Sequence, residues 1–330
     1  MTGKSGTAEG VTNGQGGAEA PDLSIIIVSF NTREMTLACL RSVVEQTRET
    51  SYEIIVVDND SHDGSAEAIA AQFPDVILFA EKSNHGFAGG NNMAVPHSSG
   101  HYVLLLNPDT VVLDRAIDRL MAFARRAPEA KIWGGRTLYG DGQLNPTNCW
   151  RRMNLWTLLS RTLGLERVFP NSPIFNAEGY GGWARDSERE VYIVTGWFFL
   201  IERELWDRLG GFDLSYVMYG EVGDLCLRAR KLGAQPRISP EAEIIHYVGA
   251  STTVRSRKHV MLLKAKMTLV QRTFPVWQQP LAKAFLTLWP ASRLMLSSLL
   301  ALVTGKPSWR KTRDGWLEVW GRRDEWRAGY

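Results

Sequence analysis

The sequence predicts an α/β fold: a Rossmann-like, mostly parallel sheet flanked by helices, with a helical C-terminal extension. Three observations predict it. Continuous apolar, β-branched runs of strand length recur, and several end in a polar residue, the pattern of strands buried on both faces. Between them lie segments with apolar residues at helical spacing, joined by short loops, so strand and helix alternate. From about residue 259 onwards the chain turns basic and aromatic, with helical patterning.

LSIIIVSFN (23–31) reads as the first buried strand. TREMTLACLRSVVEQT reads as the helix after it, with Met35, Leu37, Leu40, Val43 and Val44 at helical spacing and Thr32 as N-cap. YEIIVVDND (52–60) is a second strand ending in acids, DGSAEAIAAQF a second helix and DVILFAE a third strand. FAGGNNMAVPHS is a glycine-rich turn into a short helix, HYVLLLNPDT a fourth strand ending in an acid, and DRAIDRLMAFARRAP another helix. Gly, Asn, Pro and Trp then scatter through 133–190 until EVYIVTGWFFLIERELWDRLGGFD restores a strand and a helix. YGEVGDLCLRARKLG (219–233) opens a further helix on two acids, Glu221 and Asp224.

The domain reading follows. Residues 1–21 lack an apolar run and read as a disordered lead-in rather than a signal peptide. Residues 22–258 form the main domain, with a nucleotide-binding half (22–130) and an acceptor-side half (131–258), and 259–330 form the extension. Within it, FLTLWPASRLMLSSLLALVTG (285–305) comes nearest to a membrane segment, and Pro290 and Arg293 argue against a span. Lys283, Lys306, Arg310, Lys311 and Arg313 suit an interfacial helix against anionic lipid; a packing helix fits equally well.

The 330 residues allow one large α/β domain or two smaller ones, and 44% hydrophobic residues with 12 tryptophans supply a core. A net charge of +3 is too weak to suggest a nucleic-acid partner. Cys39, Cys149 and Cys226 are far apart, with no CxxC, so no zinc or disulfide framework is expected and reduced thiols in the cytosol are the simple reading.

Ligands of open parallel sheets bind outside the carboxyl ends of the strands. Asn31 follows the first strand, Asp58 and Asp60 the second, and Asn107 and Asp109 the fourth. One such acid means little, but acids past two apolar strands would meet at one rim. There a carboxylate can accept from ribose hydroxyls or a base edge, and another can hold a cation bridging diphosphate oxygens. A GxGxxG after the first strand and a GxxxxGK[ST] are both missing, which disfavours a nicotinamide oxidoreductase and a P-loop. Glu221 and Asp224, three apart, share a helix face and serve either helix-start electrostatics or catalysis. Trp150, Trp156, Trp183 and Trp197 offer faces for sugar rings, although ordinary burial suits most of them.

Six segments carry a resemblance: SIIIVSFN, IIVVDNDSHDGS, NHGFAGGNN, LLLNPD, VTGWFFLIERELWDRLGGFD and YGEVGDLCLRARKLG. In this order and spacing they resemble family 2 glycosyltransferases, within them the rhamnosyltransferase-like branch acting on bacterial surface polysaccharide, over residues 22–250. The resemblance implies a GT-A fold and inverting sugar transfer from a nucleotide-diphosphate donor. It places Ser29 and Asn31 near the donor nucleotide, Asp58 and Asp60 toward its base or ribose, and Asn84, Gly86, Phe87, Asn91 and Asn92 around the nucleotide pocket. Asp109 matches the metal-binding acid of the DxD element, which here reads Asn107-Pro108-Asp109 and lacks its first acid. His246 matches the HxxGxS element, with Gly249 and Ser251, as a metal ligand. Arg255 and Lys258 are expected at the leaving diphosphate, or equally on a solvated basic face, and Trp197 at the acceptor wall.

The resemblance also implies a general base at Glu221, with Asp224 second or else paired with Arg228. Val222 stands where the family usually has an acid. The expected cofactor is a divalent cation, Mg or Mn, and the expected donor a dTDP- or UDP-sugar, with dTDP-rhamnose suggested by family analogy. A glycan or lipid-linked acceptor, a membrane surface at the inner face of the cell membrane and a second copy of the chain complete the expected partners. The alternative is a non-catalytic nucleotide-sugar or glycan-binding subunit, which only Val222 and the shortened DxD element favour.

Overall fold

Burial on both faces explains why β1 (Leu23–Ser29) is apolar almost without interruption: Ile25, Ile26 and Ile27 are all fully buried. The structure is a computed structural model that describes residues 20–247 and 255–330, without the Arg255 side chain. Most of the expected lead-in, together with Gly249 and Ser251, lies outside the described residues.

β1 pairs in parallel with β2 (Tyr52–Asn59), and β2 with β3 (Ile77–Glu81). Helices α1 (Arg33–Gln46) and α2 (Ser65–Gln72) make the crossovers. After α3 (Gly86–Ala94), β4 (Tyr102–Leu106) pairs in parallel on the other side of β1. Next come β5 (Thr110–Val112), α4 (Ala116–Arg126) and β6 (Ile132–Leu138). The loosely patterned stretch forms only β7 (Cys149–Trp150), α5 (Leu155–Leu163), α6 (Leu165–Val168), β8 (Arg189–Glu190) and β9 (Ile193–Val194). β10 (Phe198–Glu202), α7 (Arg203–Leu209), α8 (Glu221–Lys231) and β11 (Arg237–His246) follow. The C-terminal helices are α9 (Arg255–Thr273), α10 (Gln279–Thr304), α11 (Pro307–Gly321) and α12 (Arg323–Arg327).

The main sheet runs β3-β2-β1-β4-β10-β6-β11-β5, with β8 beside β11. Its longest ladders are parallel, while β10 runs antiparallel to both β4 and β6. β5 folds back antiparallel onto β11 and sets Thr110 opposite His246. Two apolar cores cover the faces of this sheet, and a third lies among the C-terminal helices and reaches Met153, Leu158 and Tyr216. A buried ion network joins the third core to α5. Glu178 Oε1 accepts from Lys266 Nζ at 2.7 Å and Arg161 Nη1 at 3.3 Å.

Two local expectations need correction. Thr32 occupies the N-cap position of α1, but its hydroxyl meets those of Ser29 and Thr36 rather than a helix N–H. The Arg33 N–H is taken instead by Asp63 Oδ2 at 2.9 Å, from the loop before α2. Nor does Pro290 interrupt its segment, because α10 runs unbroken through it. A proline removes one helical N–H bond, and here packing holds the flanking turns: Arg293 Nη2 donates to Arg161 O at 2.7 Å. The stretch Val276–Thr304 is long and apolar enough to cross a membrane by length and composition alone.

Candidate active site

The polar residues after β1 and β2 form one connected rim. Asn31, at φ 52°, accepts from His62 N through Oδ1 at 2.8 Å, while its own N–H donates to Ser61 Oγ at 2.9 Å. Asp58 is buried; its Oδ1 accepts from Ser61 N at 2.9 Å, and its Oδ2 has no hydrogen-bond partner. A buried acceptor without a donor costs free energy, so Oδ2 is poised for a ligand donor. Asp60 lies alongside, partly exposed at φ 68°. Ser29 is fully buried and bonds the Thr36 hydroxyl at 2.9 Å, beneath the rim.

The loop into α3 closes the rim. Asn84 Oδ1 accepts from Gly86 N at 2.8 Å, and Gly86 takes φ 70°, a conformation that suits glycine. Asn59 clamps this loop, donating to Asn84 Oδ1 and accepting from His85 N. Asn91 is buried with Oδ1 unpartnered, whereas Asn92 bonds both the N–H and the C=O of Phe212. Asn92 thus ties α3 to the turn that follows α7.

At the other side, Asp109 Oδ1 lies 3.1 Å from His246 Nε2. The β5–β11 pairing brings these residues together. Adjacent ligands of an octahedral ion with bonds near 2.1 Å are about 3.0 Å apart, so this pair fits two positions around a small divalent cation. Among the described residues no group of three His, Cys, Asp or Glu side chains converges, so the remaining positions would fall to diphosphate and water. Trp197 backs the pair: its ring centroid is 4.6 Å from that of His246, and its indole N–H donates to Thr137 Oγ1. Trp197 O also accepts from Asn107 N at 3.2 Å, so the shortened DxD element keeps its place through the backbone.

The two acids of α8 part company. Glu221 is buried at the first position, where its Oε2 accepts from Gly220 N at 2.8 Å. Burial raises its pKa above the usual glutamate value despite that bond, the direction suited to a base working near neutral pH. Asp224 is held elsewhere. Its Oδ2 accepts from Arg228 Nε at 2.6 Å, Arg228 also bonds the carbonyls of Leu209 and Gly211, and Arg272 lies 3.8 Å from Oδ1. The expected pairing with Arg228 is present, and through Arg228 it links α8 to the end of α7. Between them, Val222 points toward the donor loop: a Cβ on Gly196 would lie 2.9 Å from both Val222 and Phe87. Lys258 Nζ sits 5.8 Å over the Tyr219 ring, beside the turn that leads into Glu221. The Arg255 side chain lies outside the described residues.

The sequence pattern of "Glycosyl transferase family 2" matches residues 24–191. The chain belongs to this family. It is a glycosyltransferase. The transferase is 27% identical over 240 residues to "O-antigen biosynthesis protein RfbC" of Myxococcus xanthus, covering 70% of this chain but only 18% of that protein. It is also 27% identical over 246 residues to the "N-acetylglucosaminyl-diphospho-decaprenol L-rhamnosyltransferase" of Mycobacterium tuberculosis, covering 71% of this chain and 79% of that one. Its fold matches the mannosyltransferase PcManGT from Pyrobaculum calidifontis, solved with GDP-Man and Mn2+, with TM-score 0.58 and 17% identity over 93% of this chain and 88% of that one. GalNAc-T7, solved with UDP, GalNAc and Mn2+, matches with TM-score 0.54 and 13% identity over 81% of this chain and 54% of that one. The expected GT-A fold is thereby established.

Three residues escape the sequence pattern: Asn59 and Asp63 at the rim, and Arg185 in the loop before β8. Asn59 and Asp63 lie within IIVVDNDSHDGS, beside Asp58 and Asp60. Asp63 caps two helices at once, through Arg33 N and Ser65 N. Its pKa is lowered because these hydrogen bonds outweigh the opposing desolvation. Arg185 is buried in the loop beyond β7, where it bonds the carbonyls of Pro146, Gly179 and Trp183. Nothing in its sequence neighbourhood signals that role.

Proposed function

We propose that this transferase moves a sugar, with inversion, from a nucleotide-diphosphate donor to a glycan or lipid-linked acceptor in bacterial cell-surface polysaccharide synthesis. The observation that carries the reading is the Asp109–His246 pair at the carboxyl rim of the sheet. Asp58, with its unpartnered Oδ2, takes a donor N–H or O–H of the base or ribose, and Asn31, Asp60, Asn84, Gly86, Phe87 and Asn91 enclose the nucleotide. Asp109 and His246 would hold Mg²⁺ or Mn²⁺, which neutralises charge on the leaving diphosphate. Arg255 and Lys258 are assigned to the same diphosphate.

Glu221 takes the proton from the acceptor hydroxyl as its oxygen attacks the anomeric carbon from the face opposite the leaving group. Its buried start of α8 keeps that carboxylate basic. Trp197, only partly buried, is assigned to the acceptor wall. The rhamnosyltransferase relative supports a deoxysugar donor, dTDP-rhamnose first among them, and a lipid-linked acceptor. Such an acceptor suits a chain held on the inner face of the cell membrane, where the apolar side of α10 would dock. Family membership and the intact Asp109–His246 pair favour this over a non-catalytic binding subunit.

The test screens dTDP-, UDP- and GDP-sugars for thermal stabilisation and donor hydrolysis, with Mg²⁺, Mn²⁺ or EDTA. Stabilisation by one donor that needs the cation and is lost in Asp109→Asn is expected. Donor binding indifferent to both EDTA and Asp109→Asn would sink the metal assignment. Binding without transfer or hydrolysis, even with acceptor-bearing membranes, would restore the binding-subunit reading.

A further inference from the structure

Residues 259–330 hold twelve Lys and Arg against four Asp and Glu, a net +8 on a chain whose total is +3. This charge meets an exposed apolar face. One side of α10 packs inward through Leu286, Trp289, Arg293 and Ala301. The other presents Leu281, Leu288, Met295, Leu299 and Leu302 to solvent at near-heptad spacing, Leu302 being 83% exposed. A helix with one packed face and one bare apolar face, flanked by cations, is built for the boundary of a lipid bilayer.

Beside the first half of that face lies a cleft of about 650 Å³ between α9, α10 and α12. Met267, Pro280 and Leu288 give it apolar walls, and Lys283 and Arg327 bring two cations to it. Neither cation makes a salt bridge or side-chain hydrogen bond among the described residues. Two cations without a carboxylate partner among the described residues thus face one largely apolar cleft. Leu288 belongs both to the cleft and to the exposed face, so the two are continuous.

We propose that this cleft seats the phosphate headgroup of an anionic membrane phospholipid, gripped by Lys283 and Arg327, while the bare face of α10 enters the acyl layer. Arg offers a planar fork of donors and Lys a point charge, both suited to phosphate oxygens. The proposal rests on the peripheral-membrane reading and deepens it, because it turns a general attraction into a defined site.

The experiment is vesicle co-sedimentation of the full chain with phosphatidylcholine alone and with about 30% phosphatidylglycerol. Lys283→Gln/Arg327→Gln is compared with the charge-matched Lys306→Gln/Lys311→Gln. Diffuse attraction weakens binding by about five-fold per lost charge, wherever that charge lies. The cleft site predicts a loss at least about ten-fold larger for the cleft pair, with donor hydrolysis unchanged. Equal losses for the two pairs would overturn the site and leave the membrane reading standing. No binding of wild type to anionic vesicles at low ionic strength would overturn both. Release of wild type by millimolar inorganic phosphate, together with phosphate stabilisation that the cleft variant lacks, would reassign the cleft to free phosphate.

Discussion

Replacing Glu221 by Gln separates two roles that a helix-start carboxylate can have, because they predict opposite signs for stability. Gln keeps the bond from Gly220 N through its carbonyl oxygen and loses only the charge. As a dipole partner, that charge would be worth about 0.3–1 kcal/mol, so Glu221→Gln would lower stability near neutral pH. The raised pKa points the other way, since desolvation outweighs the hydrogen bonds to the carboxylate. A carboxyl with a raised folded pKa binds its proton more tightly in the native state. Stability therefore falls as pH rises from the ordinary glutamate value through the raised one, and the cost is fully present above both.

Glu221→Gln removes that cost. The expected result is a higher Tm than wild type near neutral pH, with the difference closing below the ordinary glutamate range. Turnover should fall by about a hundred- to ten-thousand-fold, roughly 3–5 kcal/mol of barrier. Donor hydrolysis, acceptor transfer and thermal unfolding across pH read all three. A variant that loses both Tm and turnover near neutral pH would refute the reasoning and return Glu221 to helix-start electrostatics. Val222 supplies a second reading of the same site, because its side chain faces Phe87 and Gly196. Adding Val222→Asp to Glu221→Gln should recover part of the lost turnover.

Two further outcomes concern the frame around the site. Glu178→Gln leaves Lys266 and Arg161 buried without their shared carboxylate, and should cost about 3–5 kcal/mol, read as a lower urea midpoint. Its effect should shrink at low pH, because the Arg161 and Lys266 charges outweigh desolvation and lower the Glu178 pKa; the stability it adds is lost as pH falls through that lowered value. Asp224→Asn breaks the clamp that Arg228 throws over Leu209 and Gly211. It should lower Tm while leaving the pH dependence of turnover unchanged; a shifted pH profile would make Asp224 the base instead.

What could be read along the chain was what depends on neighbours in sequence. The central strands are legible because burial on both faces demands unbroken apolar runs, as in Ile25 to Val28. The polar residues at their ends, Asn31, Asp58 and Asp109, are legible because a parallel sheet gathers strand ends on one rim. Asp224 with Arg228 was readable for the same reason, being one helical turn apart. Contacts across long loops were not. The resemblance names Asp109 and His246 together as metal ligands, but that β5 folds back onto β11 to pair them, and that Asn92 meets Phe212, is set by the tertiary fold. The side on which Val222 points, and the passage of α10 through Pro290, were likewise set by what packs against them. Local pattern determines which residues can form a strand, a helix or a rim. Which side chains meet there depends on register and packing, and these are settled by the whole fold at once.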